Sequence, residues 1–218
     1  MKKGLIFIIS AISLILVFVI GAVYIKGQKT KKVESFAMSS SSVFVREYSP
    51  SLGSDDAKVI ITEFLDPACQ TCKAMYPFIK NILISNQGRI KLVVRYAPLH
   101  QGSDEVVKML EASKEQGKFW ETLEVMLQSQ QQWVVNHISK PEKLWPILPQ
   151  AGLDIERLKK DMQKPEVERN VQQDIADAKA LDVNKTPGYF VNGKPLVHFG
   201  YEELLELIRS EYIKSYPN

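Results

Sequence analysis

The sequence predicts an α/β fold in which a small sheet is interrupted by a helical insertion and preceded by an apolar N-terminal segment. Three features predict it: a strand-helix-strand order over residues 58–96, helical patterning over residues 102–181, and a strand hairpin with a final helix after that. With 45% hydrophobic and 24% charged residues, the composition is that of a globular protein. A wholly disordered or fibrous chain is therefore excluded.

Residues 1–25 are predicted to form a transmembrane signal-anchor helix. The chain is uncharged from Gly4 to Ile25 and lysines bracket this stretch, and a helix of about 20 apolar residues spans a bilayer. A cleaved signal peptide remains the alternative, although only a weak small-residue site occurs near Gly21. Lysines on both sides leave the orientation open.

Residues 26–56 are predicted to be a polar tether, because they begin with lysines and contain the serine run Ser39–Ser42 and the turn-rich Ser49–Asp56. A short edge strand over Val43–Val45 is possible within it. Six lysines precede residue 33, and the remainder holds 22 basic and 25 acidic residues, a net charge of −3. This excludes the clustered basic surface of a nucleic-acid-binding domain.

The first folded elements form a strand-helix-strand unit. Lys58–Leu65 is a β-branched and apolar run that suits a strand buried on both faces. After Cys69, apolar residues recur at helical spacing, and Ile90–Tyr96 is a second strand. Strands joined in this way pair in parallel.

The remaining chain divides into an insertion and a return to the sheet. Residues 102–181 carry two apolar helical stripes, which are expected to face a core rather than a cofactor, and prolines divide them into several helices. Asn192-Gly193 between apolar runs predicts a hairpin, followed by a last helix. Residues 57–101 and 182–218 are therefore expected to form one domain, interrupted by the helical insertion of residues 102–181.

The two cysteines carry the chemistry. Cys69 and Cys72 are the only cysteines, and their spacing permits a disulfide within the first turn of a helix. The free N–H groups and dipole at a helix start stabilise a thiolate at Cys69. A more acidic thiol is a better leaving group and makes the disulfide more oxidising. Cys72, one turn further, is expected to be buried and less reactive.

Three other interpretations of the cysteine pair compete with disulfide exchange. A zinc site needs two more ligands, and His100, His137 and His198 lie far apart without paired spacing. A structural disulfide closing so short a loop would remove little chain entropy. Two inert core thiols are the third alternative. Dithiol-disulfide exchange is favoured over all three, and no metal or cofactor is predicted.

Two segments carry a family resemblance. Residues 63–73, EFLDPACQTCK, and residues 186–193, TPGYFVNG, resemble the DsbA-type thioredoxin-fold thiol-disulfide oxidoreductases, and Gln116–Trp120 resembles their helical domain. The similarity covers residues 55–214 and implies a thioredoxin-like fold with a helical insertion. The chain departs from the best-known oxidases in its membrane anchor and in Gln70-Thr71, which replaces Pro-His. Without that histidine, a less oxidising potential than that of the strongest oxidases is expected.

The resemblance also implies roles for further residues. Pro187 is expected to follow a cis peptide bond and pack against the cysteines, with the Thr186 backbone free to pair with an extended substrate. Gln70 and Thr71 are expected to contact the substrate too. Glu63 corresponds to a buried acid with a raised pKa that exchanges protons with Cys72. The alternatives are an ordinary trans proline at the start of a strand and a Glu63 that faces water at an edge.

The sequence therefore predicts an extracytoplasmic, membrane-anchored thiol-disulfide oxidoreductase. Its substrates would be cysteine-containing envelope or secreted proteins, and oxidation is the favoured direction. The resemblance implies a quinone-linked membrane partner that reoxidises it. Since disulfides belong to oxidising compartments, the catalytic domain is expected on the periplasmic side. A reductase or isomerase of the same fold, and a non-catalytic peptide-binding or chaperone module, are the alternatives.

Overall fold

The computed structural model describes residues 12, 14–21, 24, 41–86 and 88–217. Residues 14–21 are helical and almost all exposed. Most of the predicted membrane anchor, residues 1–25, and the first part of the tether lie outside the described residues. Among the helices of the described part, none is both long enough and apolar enough to cross a bilayer.

The described residues contain a five-stranded sheet with the strand order β1-β3-β2-β6-β7. The inner strands β2 and β3 are parallel, and the other neighbours in the sheet are antiparallel. A separate two-stranded hairpin, β4-β5, lies within the helical insertion. The strands are β1 (Ser51–Leu52), β2 (Val59–Leu65), β3 (Ile90–Tyr96), β4 (Val134–Val135), β5 (Ile138–Ser139), β6 (Gly188–Val191) and β7 (Lys194–Pro195).

Helices cover both faces of the sheet, and those from residue 103 to residue 180 form the insertion. Short 3-10 turns connect some of them at Ser41–Val43, Ser113–Gln116, Pro141–Lys143 and Leu148–Ala151. The α-helices are α1 (Gln70–Ser85), α2 (Ser103–Ala112), α3 (Phe119–Gln128), α4 (Gln130–Trp133), α5 (Ile155–Asp161), α6 (Pro165–Ala180) and α7 (Tyr201–Ser215).

Strand β2 lies at the centre because its side chains are buried on both faces, as the sequence predicts. Successive side chains of a strand point to opposite faces. Ile61 and Leu65 pack in the large core that includes α1, whereas Phe64 packs in a second cluster with Phe190 and Leu181. The predicted thioredoxin-like α/β fold with helical content is confirmed by this arrangement.

The end of the predicted tether is part of the folded domain, which differs from the sequence prediction for residues 26–56. Val43 and Phe44 are buried, and the Phe44 ring lies 5.1 Å from the Phe190 ring. Strand β1 pairs with β3 at the sheet edge. The edge strand predicted over Val43–Val45 is wrong, since Ser41–Val43 is a 3-10 turn. Two apolar side chains within a polar segment cover the sheet face that Phe190 would otherwise expose.

A buried guanidinium joins the sheet to the helical insertion. Arg95 of β3 is fully buried, and its Nη2 lies 2.6 Å from a carboxylate oxygen of Asp174 and 2.6 Å from one of Asp177, both on α6. Tyr48 donates to Asp174 at 2.6 Å, and Arg95 also donates to the Val43 carbonyl. One side chain therefore fixes the positions of β3, α6 and the N-terminal segment.

Candidate active site

The turn between β2 and α1 is shaped by the buried side chain of Asp66. One carboxylate oxygen accepts from the Ala68 N–H at 2.9 Å, and the Asp66 carbonyl accepts from the Cys69 N–H at 2.9 Å. The other oxygen accepts from the backbone N–H groups of Leu99 and His100, each at 2.9 Å, and lies 2.7 Å from His100 Nδ1. Asp66 thus fixes the cysteine turn to the loop after β3.

A second clamp on this turn comes from the helical insertion. Gln130 of α4 is buried, and its side-chain amide donates to the carbonyl of Pro67 at 2.6 Å and to the carbonyl of Cys69 at 3.0 Å. The sequence analysis did not single out Gln130, because a glutamine in a polar helical segment carries no signal of its own. The insertion therefore helps to hold the backbone on which Cys69 is placed.

Replacing Gln130 with alanine should lower the free energy of unfolding by about 1–3 kcal/mol, because the buried Pro67 carbonyl loses its partner. Urea denaturation of the reduced chain measures this loss. The matched control is Gln132→Ala, an exposed glutamine of the same helix, which should change stability by no more than about 0.5 kcal/mol. Equal stability of the two variants would show that the clamp is not a significant contact.

The two sulfurs lie at the start of α1 in unequal environments. Both are free thiols, with Cys69 as the helix N-cap and 6% exposed, and Cys72 fully buried in the first turn. The hydrogen bond from the Cys72 side chain is the largest cause that lowers the pKa of Cys69 to about 5. Burial opposes this lowering, while Thr186 and the N–H groups of Cys72 and Thr71 add to it.

Cys72 shows the opposite behaviour. Burial is the largest cause that raises its pKa well above the ordinary value, followed by hydrogen bonding to Cys69 and the charge of Glu63. At neutral pH the pair therefore holds one thiolate, at Cys69, and one thiol, at Cys72. The direction of this asymmetry is the one that the sequence predicts, but the main cause differs: the Cys72 side chain lowers the pKa of Cys69 more than the N–H groups at the helix start do.

The loop before β6 faces Cys69. The Thr186-Pro187 peptide bond is cis, and the Cys69 sulfur lies 3.1 Å from the Thr186 carbonyl oxygen, to which it donates when it is protonated. A groove of about 810 Å³ opens beside this contact and is lined by Thr71, Thr186 and Pro187, among others. Gln70 is exposed in the first turn of α1 but does not line the groove. Of the four residues predicted to contact the substrate, Thr71, Thr186 and Pro187 therefore line one groove, and Gln70 lies outside it.

Glu63 lies beneath the cysteines, on an inner strand. Its side chain is 1% exposed, and neither carboxyl oxygen has a hydrogen-bond partner among the described residues. Burial is the main cause that raises its pKa to about 8; the Tyr189 hydroxyl partly offsets the rise, although the two groups do not reach hydrogen-bond geometry. Because β2 lies between β3 and β6, the alternative of an edge residue facing water is wrong.

The shifted pKa values of Cys69 and Glu63 predict opposite pH dependences of stability. Between about pH 5 and pH 8, folded Cys69 is ionised whereas unfolded Cys69 is protonated, so its contribution to stability rises with pH. Over the same range, folded Glu63 is protonated and unfolded Glu63 is ionised, so its contribution falls with pH. Each slope is about 1.4 kcal/mol per pH unit, and in the reduced wild-type chain they nearly cancel.

Single substitutions should separate the two contributions. Urea denaturation of reduced Glu63→Gln should give a stability that rises from pH 5 to pH 8, and Cys69→Ser should give one that falls. A stability that does not change with pH in either variant would contradict both pKa shifts.

Among the described residues, no cluster of three or more His, Cys, Asp or Glu side chains could hold a metal ion.

The fold and this pair of sulfurs define a class of protein. One thiol has a lowered pKa, and the other is buried and has a raised pKa. Both lie within one helical turn and face a cis-proline loop, and such a pair can exchange a disulfide with another thiol pair. This is the arrangement that a thiol-disulfide oxidoreductase requires.

The family follows from the sequence. A profile described as thioredoxin matches residues 46–210, and the chain belongs to this thioredoxin family. It is 29% identical to the probable disulfide bond formation protein D of Bacillus anthracis over 98% of this chain and 97% of that protein. It is similar to the solved structure of BdbD from Bacillus subtilis in its oxidised form, with 26% identity and a TM-score of 0.64 over 76% of this chain and 94% of that one.

One further similarity is partial. The chain is 29% identical to the Na(+)/H(+) antiporter NhaA of Herminiimonas arsenicoxydans over 144 residues, which are 66% of this chain and 22% of the antiporter. The chain thus spans about a fifth of the length of that relative. The resemblance to DsbA-type enzymes drawn from the two sequence segments is confirmed by the thioredoxin profile, by disulfide bond formation protein D and by BdbD.

Proposed function

We propose that this protein is a membrane-anchored, extracytoplasmic oxidase that transfers its Cys69-Cys72 disulfide to cysteine pairs of envelope or secreted proteins. The observation that carries the proposal is the asymmetry of the two thiols. An acidic Cys69 stabilises the reduced enzyme as a thiolate, and a stabilised reduced form makes the disulfide a stronger oxidant. The direction of electron flow then runs from substrate to enzyme.

Each cycle moves two electrons from a pair of substrate thiols to the enzyme. A substrate thiolate attacks the Cys69 sulfur, the Cys69-Cys72 bond breaks, and Cys72 leaves and takes a proton. A second substrate thiolate attacks the substrate sulfur of the mixed disulfide, which forms the substrate disulfide and releases Cys69 as a thiolate. The reduced enzyme now holds the two electrons, and a quinone-linked membrane partner removes them as the disulfide forms again.

The groove beside Pro187 is suited to the substrate chain. An extended peptide can lie along the loop before β6 with main-chain hydrogen bonds to Thr186, while its cysteine reaches Cys69. Thr71 borders the same opening, and Gln70 is exposed nearby. Affinity would then come mainly from the peptide backbone, which allows many different substrates.

Membrane anchoring is supported by the N-terminal segment. Described residues 14–21 are helical and their apolar side chains are exposed, with Phe18 at 78%. Exposed contiguous apolar surface is costly in water and is typical of a segment that lies in lipid. A disulfide donor functions where thiols are not kept reduced, so we place the catalytic domain on the periplasmic side.

A reductase or isomerase of the same fold is the second candidate. The feature that favours it is the Gln70-Thr71 dipeptide, which places no histidine between the cysteines. Either enzyme would attack substrate disulfides with the Cys69 thiolate of the dithiol form. A reductase would need electrons from another membrane protein in each cycle, and an isomerase would need them only to stay reduced.

One equilibrium separates an oxidase from a reductase. The full-length chain in detergent is equilibrated with glutathione buffers of graded ratio, and the fraction of free Cys69 and Cys72 is measured by alkylation and mass spectrometry. An oxidase with this Cys69 should have a potential between about −120 and −200 mV. A potential below about −230 mV would assign the protein to the reductase class instead.

A further inference from the structure

Two buried polar side chains near the cysteines lack partners. The hydroxyl of Tyr189 and both carboxyl oxygens of Glu63 have no hydrogen-bond partner among the described residues, and both side chains are buried. A buried hydroxyl or carboxyl without a partner is unusual, because each loses its bonds to water. Such groups call for a functional explanation.

The two groups are paired across the sheet. In the antiparallel register of β2 and β6, Glu63 lies directly opposite Tyr189. Directly opposed residues of an antiparallel pair point to the same face, with their Cβ atoms about 4.5–5.5 Å apart. A small side-chain rotation can therefore bring the tyrosine hydroxyl and the carboxyl group together.

The face they share is the face of the cysteines. Tyr189 packs in the same core cluster as Cys69 and Cys72, whereas its neighbour Phe190 packs in the cluster on the other side of the sheet. The groups of α1 whose charges couple to Glu63 are Cys69, Cys72 and Tyr76, and Tyr189 is the coupled group of β6. Glu63 thus lies between a proton acceptor on α1 and a hydroxyl donor on β6.

We propose that Tyr189 is a positioning residue for proton transfer at Cys72, and that its hydroxyl donates a hydrogen bond to the Glu63 carboxylate whenever Glu63 is ionised. This proposal rests on the exchange cycle proposed above. When the Cys69-Cys72 bond breaks, the Glu63 carboxylic acid gives its proton to the Cys72 thiolate and becomes a carboxylate. Water later returns a proton to Glu63, and Tyr189 keeps its own proton throughout.

The reverse step uses the same groups. When Cys72 attacks a mixed disulfide at Cys69, the Glu63 carboxylate accepts the Cys72 proton and the partner thiolate leaves. The tyrosine hydroxyl lowers the pKa of Glu63, which burial has raised to about 8, so its loss should raise that pKa further. The ionised fraction of Glu63 at pH 7 would then fall.

The test compares wild-type and Tyr189→Phe full-length chains, since phenylalanine keeps the ring and removes only the hydroxyl. The first readout is the titration of the Glu63 carboxyl in the reduced chain, followed by NMR of ¹³C-labelled glutamate and assigned with Glu63→Gln. We expect the midpoint to rise by about one pH unit in Tyr189→Phe. An unchanged midpoint would overturn the proposal.

The second readout is the rate at which Cys72 releases glutathione from a mixed disulfide at Cys69. This rate should be about tenfold lower at pH 7 in Tyr189→Phe, and its pH profile should shift upward with Glu63. In a Glu63→Gln background, Tyr189→Phe should have no additional effect. The control Tyr201→Phe removes an exposed hydroxyl and keeps the ring contact with Phe78, so it should leave the profile unchanged.

If Tyr189→Phe does not fold, the proposal can still be tested on Tyr189 itself in the wild-type chain. The ¹³Cζ resonance of Tyr189 in the wild-type chain should shift as Glu63 titrates, and the shift should be absent in Glu63→Gln. If no shift occurs in the wild-type chain, the proposal is wrong. The glutathione equilibrium tests the direction of exchange separately, so a reducing potential would contradict the oxidase proposal without altering the Glu63 titration.

Discussion

Replacing Cys69 with serine should reduce thiol-disulfide exchange to the uncatalysed background rate. A serine hydroxyl is not ionised at neutral pH and cannot form a disulfide, and the remaining Cys72 is fully buried with a raised pKa. The measurement is oxidation of a reduced dithiol peptide by the preoxidised chain, followed by mass spectrometry.

The matched variant is Cys72→Ser, which is treated with the disulfide form of the peptide. Its Cys69 thiolate should attack the peptide disulfide and displace one peptide thiolate, and the mixed disulfide should accumulate because the resolving thiol is absent. These adducts are visible by gel electrophoresis without a reducing agent. The opposite pattern, in which Cys69→Ser forms the adducts and Cys72→Ser does not, would exchange the roles assigned to the two cysteines.

Replacing Arg95 with methionine should lower the free energy of unfolding by about 3–5 kcal/mol. Breaking a buried ion pair leaves an uncompensated charge in the core, and here Asp174 and Asp177 lose a common partner. The loss should also free the N-terminal segment, because Arg95 donates to the Val43 carbonyl. Chemical denaturation of the full-length chain measures the effect.

The control for this prediction is Arg169→Met on the same helix, α6. Its side chain is 66% exposed and lies 3.7 Å from Glu166, so its contribution should be no more than about 1 kcal/mol. If Arg95→Met is no less stable than Arg169→Met, the guanidinium does not hold the insertion to the sheet.

The parts of the fold that local patterns define were predictable from the sequence. Residues that are apolar on both faces of a strand predict β2, and helical spacing after Cys69 predicts α1. Together they place both cysteines at the start of a helix. Glu63 was detectable because a charged residue interrupts an otherwise apolar strand. Its burial is confirmed, whereas its role in proton exchange stays a prediction.

Features that depend on contacts between distant segments were not predictable. Phe44 packs on Phe190, which lies far along the chain, and no periodicity marks two apolar residues within a polar segment. Gln130 and Tyr189 belong to segments whose patterns indicate only a helix and a strand. The hydrogen bonds of Gln130 arise from the docking of the insertion on the cysteine turn, and the bond proposed for Tyr189 depends on the register of β2 with β6.

The acidity of Cys69 is tested most directly by its alkylation rate as a function of pH. The reduced full-length chain is treated with iodoacetamide at a series of pH values, and the Cys69 adduct is quantified by mass spectrometry. The rate should be half-maximal near pH 5, the pKa set by Cys72, Thr186 and the first-turn amides. A half-maximal rate at about pH 8.5, as for an unperturbed cysteine, would contradict the thiolate assignment and the oxidase function proposed from it.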